Sequence, residues 1–232
     1  MPLKRWIESA NNAIEGVLHA ARTERHFQYH LITAIAVLIL SYALGIARDD
    51  FLVVAVIVIL VLLAEMLNTA IEHLVDLVSP EYHERARSAK DIAAGAVLVT
   101  AFGAAVLGYI ILYPYLAEAF KSGLRIARHT HAEIALLALV TVVVLVIILK
   151  ACTGKGHPLR GGMPSGHTAL SFSLWVAITL MTDHFAASLG AFILAFLVGR
   201  SRIHAGVHTA SEVVAGALLG TVVTFALFRL FL

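Results

Sequence analysis

Two short motifs in the C-terminal half combine residue types that handle phosphate. Pro164-Ser165-Gly166-His167 stands at the start of one apolar run, and Ser201-Arg202, then His208, then Glu212 open the next. An arginine offers a planar fork for phosphate oxygens. A histidine held by a carboxylate one helical turn away can act as a nucleophile, and a second histidine can protonate a leaving oxygen. The spacing therefore predicts phosphoryl transfer through a phosphohistidine.

In this interpretation His208 is the nucleophile, Glu212 orients it, and His167 is the general acid. The start of the helix after Ser165 would bind the phosphate, because its free N–H groups and dipole favour an anion and Gly166 lets the backbone approach closely. The predicted phosphate-binding residues are Lys150, Arg160, Ser165, Gly166 and Arg202, with Lys155 as the substitute for Lys150.

A second polar cluster lies inside an apolar run of the N-terminal half. Glu65, Asn68, Glu72 and Asp76 follow one another in steps of three, four and four residues. These steps place all four on one narrow stripe of a helix. Burying a carboxylate at bilayer depth costs several kcal/mol, so the stripe predicts a neutralising partner. Carboxylate oxygens suit Mg²⁺, especially Mg²⁺ carried by a nucleotide.

A short polar turn follows this stripe and leads to Lys90-Asp91 at the start of the next apolar run. Because the turn is short, both residues return to the membrane face that carries Asp76. A lysine in this position can hold nucleotide phosphates as a point charge.

The composition indicates a polytopic membrane protein. Of 232 residues, 60% are hydrophobic and only 14% are charged, which is more apolar surface than a soluble domain can bury. The formal charge of +2 is too small to suggest a nucleic-acid partner, and one cysteine excludes an internal disulfide. The apolar runs are too long for barrel strands, so we expect an all-α integral membrane protein with about seven transmembrane helices and an N-terminal amphipathic surface helix.

The polar stretch between the two motif-bearing halves contains Pro114 and Gly123 and is typical of a linker or interfacial helix. It predicts a division into residues 1–115 with three spans, a linker at 116–132, and residues 133–232 with four spans. With the N-terminal helix in the cytoplasm, counting spans places both motif clusters on the cytoplasmic side. A re-entrant span would turn the C-terminal cluster outward.

The N-terminal half resembles the small bacterial membrane kinases of diacylglycerol and undecaprenol. The resemblance is carried by the stripe from Glu65 to Asp76, by Ala89-Lys90-Asp91, and by the entry sequence 24–30, which is similar to the undecaprenol branch. It implies an N-terminal surface helix, three spans and a homotrimer with sites between subunits. Glu65 would be the general base toward the lipid hydroxyl, and Glu24 and Glu72 would bind the Mg²⁺ carried by ATP. The implied nucleotide-site residues are Arg5, Asn68, Asp76, Lys90 and Asp91.

The C-terminal half resembles the type 2 phosphatidic acid phosphatase family, which needs no metal. That family has a lysine-to-arginine element, then Pro-Ser-Gly-His, then Ser-Arg, five residues, His, three residues and Asp. Here Glu212 replaces the aspartate, and Lys150 reaches Arg160 across nine residues rather than six. A zinc site at His204, His208 and Glu212 is the competing interpretation.

Together the two resemblances imply a bifunctional lipid enzyme of the bacterial inner membrane. It would phosphorylate undecaprenol or diacylglycerol with ATP and hydrolyse a lipid phosphate or diphosphate, such as undecaprenyl diphosphate. One alternative is a lipid phosphatase with a degenerate kinase half as scaffold. Another is an ion or proton transporter that uses Glu65, Glu72 and Asp76.

Overall fold

The computed structural model describes residues 2–123, 126–153 and 162–232, and every regular element in these ranges is an α-helix. The prediction of an all-α chain is thus confirmed. The helices are α1 (Pro2–Thr23), α2 (Arg25–Ala43), α3 (Arg48–Val78), α4 (Glu84–Ser122), α5 (His131–Thr153), α6 (Gly166–Thr182), α7 (Phe185–His204) and α8 (Ala210–Phe231).

Six helices of the described ranges, α2 to α5, α7 and α8, are long and apolar enough to cross a membrane. The sequence predicted seven spans, and the remaining one corresponds to α6. Its 17 residues are close to the minimum length of a transmembrane helix. The first helix, α1, is amphipathic, as the sequence predicted. The helix α4 continues through Pro114 to Ser122, so the first part of the polar stretch is helical.

One compact unit comprises Glu24–Ala127 and contains α2, α3 and α4. Its main packing joins α3 to α4 over their length. Near the start of α3, Tyr115 on α4 donates its hydroxyl to the Asp50 carboxylate at 2.7 Å and accepts from the Ala47 N–H at 3.1 Å. These bonds hold the start of α3 against the last part of α4, at the opposite end from the carboxylate stripe.

The other compact unit comprises Met1–Thr23 and Arg128–Leu232 and contains α1 and α5 to α8. Within it, α6 and α8 approach so closely that a Cβ at Gly216 or Gly220 would collide with the backbone carbonyl of Ser165 or Ala169. Ser173 and Thr224 share a buried hydrogen bond of 2.6 Å across the same helix pair. The two glycines therefore set the α6–α8 distance, as small residues do between membrane helices.

The helix α1 joins the unit of the C-terminal helices because it packs on α5. Leu18, Ala20 and Ala21 form its buried face. The division of the chain into two functional halves, residues 1–115 and 133–232, with a linker at 116–132, stays a prediction.

Candidate functional site

The C-terminal motif residues lie at one end of their unit because of the helix order. Lys150 lies in the last turn of α5, His167 in the first turn of α6, Arg202 in the last turn of α7, and His208 just before α8. Helices that alternate in direction bring the end of one and the start of the next to the same side. The helix order therefore places these four residues at one end of the unit.

Glu212 is the centre of the hydrogen bonds at this end. Its Oε2 bonds His208 Nδ1 at 2.8 Å and accepts from the Thr209 N–H at 3.2 Å, and its Oε1 accepts from the Gly162 N–H at 3.1 Å. Thr209 and Glu212 also form a capping box at the start of α8. The carboxylate thus fixes the imidazole through Nδ1, and Nε2 is the ring nitrogen that this bond does not use.

Three further side chains lie within electrostatic range of the pair or of one another. His167 is within electrostatic range of Arg202, His208 and Lys150, and Lys150 is within range of Glu212. Lys150 is buried with 4% of its surface exposed, and His208 with 6%. An exposed histidine, a buried histidine with its partly buried carboxylate partner, and two cations therefore share one region, a composition that suits a phosphate group.

Ser165 and Gly166 stand where the sequence places them, at the start of α6, but they make helix contacts there. Ser165 is fully buried and its hydroxyl bonds Thr168 at 3.0 Å. Among the described residues that hydroxyl makes no capping bond at the start of α6. A Cβ at Gly166 would meet Val146 Cγ1 at 3.2 Å, so the glycine also lets α6 approach α5. Arg160 and the substitute Lys155 lie outside the described residues.

The N-terminal cluster follows one side of α3. Glu65 is buried with 5% exposure, and Asn68 donates to Glu72 Oε1 at 2.9 Å. The Asn68 Oδ1 atom is buried and accepts no hydrogen bond from the described residues. An unsatisfied buried carbonyl is costly, so this oxygen is a candidate acceptor for a substrate hydroxyl or amine.

The stripe continues into an ion pair that joins α3 to α4. Lys90 Nζ lies 2.6 Å from Asp76 Oδ1, with the lysine side chain 33% exposed. Asp91 pairs with Arg87 on the same helix at 3.6 Å. The prediction that Lys90 returns to the face of Asp76 is therefore met.

Two predicted residues remain, Glu24 and Arg5. Glu24 is the N-terminal flanking residue of α2 and is half-buried, and Arg5 is exposed on α1. The described residues contain no group of three or more His, Cys, Asp or Glu side chains that could hold a metal. His204 ends α7, and a turn with a left-handed Gly206 separates it from His208. The fold thus gives the zinc interpretation no ligand set among these residues.

Sequence reasoning missed the two backbone partners of Glu212, the N–H groups of Thr209 and Gly162. Thr209 carried a signal, since threonine three residues before glutamate at the start of an apolar run is a capping box. Gly162 carried none, because its N–H reaches Glu212 from 50 residues away in the chain.

The chain is similar to known proteins over its N-terminal half. The family model described as prokaryotic diacylglycerol kinase matches residues 11–112. The undecaprenol kinase of Bacillus subtilis (strain 168) is 40% identical over 114 residues, which are 49% of this chain and 93% of that protein. A diacylglycerol kinase of Synechocystis is 43% identical over 100 residues, 43% of this chain and 57% of that protein. That of Escherichia coli (strain K12) is 29% identical over 111 residues, 48% and 91% of the two chains. No solved structure matches.

Proposed function

Since the chain belongs, through residues 11–112, to the prokaryotic diacylglycerol kinase family, we propose that its N-terminal half phosphorylates undecaprenol with ATP. The observation that carries this assignment is the 40% identity to an undecaprenol kinase over 93% of that protein's length. The chain is a bacterial integral membrane protein, and the inner membrane, where ATP is accessible from the cytoplasm, is the proposed location.

Glu65 is the proposed general base. It lies in the apolar part of α3 and is buried, so it sits where a membrane-embedded alcohol would present its hydroxyl. The carboxylate takes the hydroxyl proton while the oxygen attacks the γ-phosphorus of ATP, and ADP leaves. Positioning and charge neutralisation do most of the work in this reaction.

The nucleotide side of the site is proposed at the polar end of α3 and the start of α4. Lys90, held against Asp76, would meet phosphate oxygens, with Asp91, Asn68 and Arg5 as further nucleotide-site residues. Glu24 and Glu72 would hold the Mg²⁺ that arrives with ATP, since their oxygens are the ligand type that this ion prefers. When bound, Mg²⁺ neutralises charge on the β- and γ-phosphate oxygens. Assembly as a homotrimer through this half belongs to the same proposal.

A lipid panel tests the kinase assignment. Purified protein in mixed micelles, with γ-labelled ATP and equal mole fractions of undecaprenol or diacylglycerol, should label undecaprenol with the higher kcat/KM. A preference for diacylglycerol would overturn the undecaprenol assignment. Failure to label either lipid would overturn the kinase proposal itself.

We also infer a second activity, a lipid phosphatase in the C-terminal half. The observation that favours it is the meeting of His167, Arg202 and the His208–Glu212 pair at one end of the unit. In the proposed reaction, His208 Nε2 attacks phosphorus and the bond to the leaving oxygen breaks. His167 gives that oxygen its proton, and water then hydrolyses the phosphohistidine to free phosphate. No metal takes part.

The proposed phosphatase substrate is undecaprenyl diphosphate. Its hydrolysis releases phosphate and undecaprenyl phosphate, the same product that the kinase half makes, so the two activities would not oppose each other. Supplying undecaprenol and ATP together provides the test. Undecaprenyl phosphate should accumulate to match the ATP used, whereas continued ATP use without accumulation would show that the phosphatase cleaves the monophosphate and would reject the diphosphate assignment.

The alternatives make different predictions for the same preparations. A scaffold role for the N-terminal half predicts diphosphate hydrolysis without ATP-dependent labelling of lipid. A transporter predicts ion flux in liposomes without turnover of either lipid.

A further inference from the structure

The segment from Gly162 to Ser165, which leads into α6, is bonded to Glu212 at both of its ends. The Gly162 N–H donates to Glu212 Oε1 at 3.1 Å, and the Ser165 N–H donates to the backbone carbonyl of Glu212 at 2.9 Å. Gly162 has a φ of +86°, which glycine adopts without the strain that a side chain would add. The segment therefore contacts both the side chain and the backbone of Glu212.

The bond from Gly162 determines how the Glu212 carboxylate is turned. Oε2 is shared between His208 Nδ1 and the Thr209 N–H, whereas Oε1 accepts only from Gly162 among the described residues. The last torsion of a glutamate side chain has broad minima, so the carboxylate plane is fixed only when both oxygens are bonded. The orientation of His208 toward a substrate thus depends on the position of the Gly162 N–H.

A side chain at the end of α5 holds the same segment. Thr153, the last residue of α5, donates its hydroxyl to the Met163 carbonyl at 3.1 Å. The Lys150 carbonyl is a second acceptor at 3.4 Å, but a hydroxyl has one hydrogen to donate, and the shorter contact is the one to Met163. Because Met163 directly follows Gly162, this bond anchors the residue beside the Gly162 N–H.

We propose that Thr153 is a positioning residue for the phosphatase reaction. Through Met163 it keeps the Gly162 N–H on Glu212, and Glu212 in turn holds His208. The inference rests on the proposed phosphatase function and adds to it a residue that touches neither the substrate nor the reacting atoms. The start of α6 is also held by its packing against α8, where Gly216 approaches the Ser165 carbonyl, so phosphate binding there does not depend on Thr153.

The competing role for Thr153 is to end α5 and nothing more. In that role its replacement lowers stability, and any loss of activity is independent of Glu212. In the proposed role the loss passes through the Glu212 carboxylate, so it disappears when the carboxylate has already been replaced. A double-mutant cycle between the two residues separates these roles, since independent effects add and coupled effects do not.

The experiment compares wild type, Thr153→Val, Thr153→Ser, Glu212→Gln and the double variant Thr153→Val with Glu212→Gln. Thr182→Val is the matched control, because Thr182 is also the last residue of its helix and donates to a backbone carbonyl, that of Ile178, at 2.8 Å. The readouts are kcat and KM on undecaprenyl diphosphate, with Tm measured on each sample.

Thr153→Val should lower kcat about 3-fold to 10-fold, the effect of losing one hydrogen bond, with KM unchanged. Thr153→Ser keeps the donor and should restore wild-type kcat, and Thr182→Val should match wild type. In the Glu212→Gln background, Thr153→Val should lower kcat by less than about 2-fold.

Three results would overturn the inference while wild type is active. They are an unchanged kcat in Thr153→Val, an equal loss of kcat in Thr153→Ser, and a loss in the Glu212→Gln background as large as that in wild type. A wild-type protein that hydrolyses neither a lipid phosphate nor a lipid diphosphate would instead reject the phosphatase function, and the inference with it. The two failures are therefore distinguishable.

Discussion

Replacing Glu212 with glutamine tests the phosphatase proposal at its most connected residue. The carboxylate bonds His208 Nδ1 at 2.8 Å and accepts the N–H groups of Thr209 and Gly162 at 3.2 and 3.1 Å. Glutamine has nearly the same shape but no charge, and it offers one carbonyl oxygen in place of two carboxylate oxygens. If the glutamine carbonyl takes the place of Oε2, its NH₂ group takes the place of Oε1. That NH₂ group then faces the Gly162 N–H, and neither of these two donors has an acceptor.

The size of the effect follows from these bonds. A hydrogen bond to a charged group contributes about 1.5–3 kcal/mol. The bond to His208 strengthens when His208 attacks and its ring becomes positive, so most of this energy is lost from the transition state. A loss of about 2 to 3 kcal/mol corresponds to a fall of about 30-fold to 150-fold in kcat. KM should change little, because both Glu212 oxygens are already bonded within the protein, to His208, Thr209 and Gly162.

The assay is phosphate release from undecaprenyl diphosphate in detergent micelles, with Tm measured on each sample. Glu212→Asp keeps the charge and should retain more activity than Glu212→Gln. Thr209→Ala is the matched control, since it removes the threonine side of the capping box, costs about 1 kcal/mol of stability, and leaves the carboxylate in place. A Glu212→Gln protein with unchanged Tm and more than about a third of wild-type kcat would refute the reasoning. So would a Thr209→Ala protein that is equally slow.

Three further predictions use other parts of the chain. Glu65→Gln should lower lipid phosphorylation at least about 100-fold, the usual contribution of a general base, while diphosphate hydrolysis persists; undiminished phosphorylation would contradict its role. Gly220→Ala should lower the free energy of unfolding by about 1–3 kcal/mol, because the added Cβ overpacks against α6, and Tm should fall. Gly190→Ala is the control, since a Cβ there meets nothing within 4 Å and Tm should not fall. Cys152, the chain's one cysteine, is an exposed residue two positions after Lys150. It should react with a membrane-impermeant maleimide in inside-out vesicles, whereas reaction in intact spheroplasts instead would place the proposed phosphatase site outside.

Much of the fold could be predicted because apolar run length is a strong signal for membrane helices. The two candidate spans with the highest mean hydropathy are α3 and α5, at 2.8 and 3.0. The polar stretch after residue 113 was harder to interpret. Pro114 indicated a break, yet α4 continues past it to Ser122. Membrane helices tolerate proline, and the Tyr115 bonds to Asp50 and Ala47 hold this part of α4 against α3, a contact that local sequence does not encode.

In the candidate sites, too, some contacts could be predicted from the sequence and others could not. Spacing alone predicted that His208 and Glu212 pair, because they are four residues apart. It also predicted the meeting of Asp76 and Lys90 across a short turn. The fully buried Ser165 hydroxyl and the approach of Arg22 to Lys150 depend on helix packing. Such contacts between distant parts of a chain leave no periodic trace in the sequence.

The two candidate sites differ in the charge that they present. The N-terminal stripe presents carboxylates, Glu65 and Glu72, which repel a phosphate unless a cation accompanies it. In the C-terminal cluster, Lys150 and Arg202 lie within electrostatic range of His167, and the Glu212 carboxylate is already bonded to His208, Thr209 and Gly162. If both proposed activities hold, ATP with its Mg²⁺ suits the first site and a lipid diphosphate suits the second, so electrostatics would oppose an exchange of substrates between the halves.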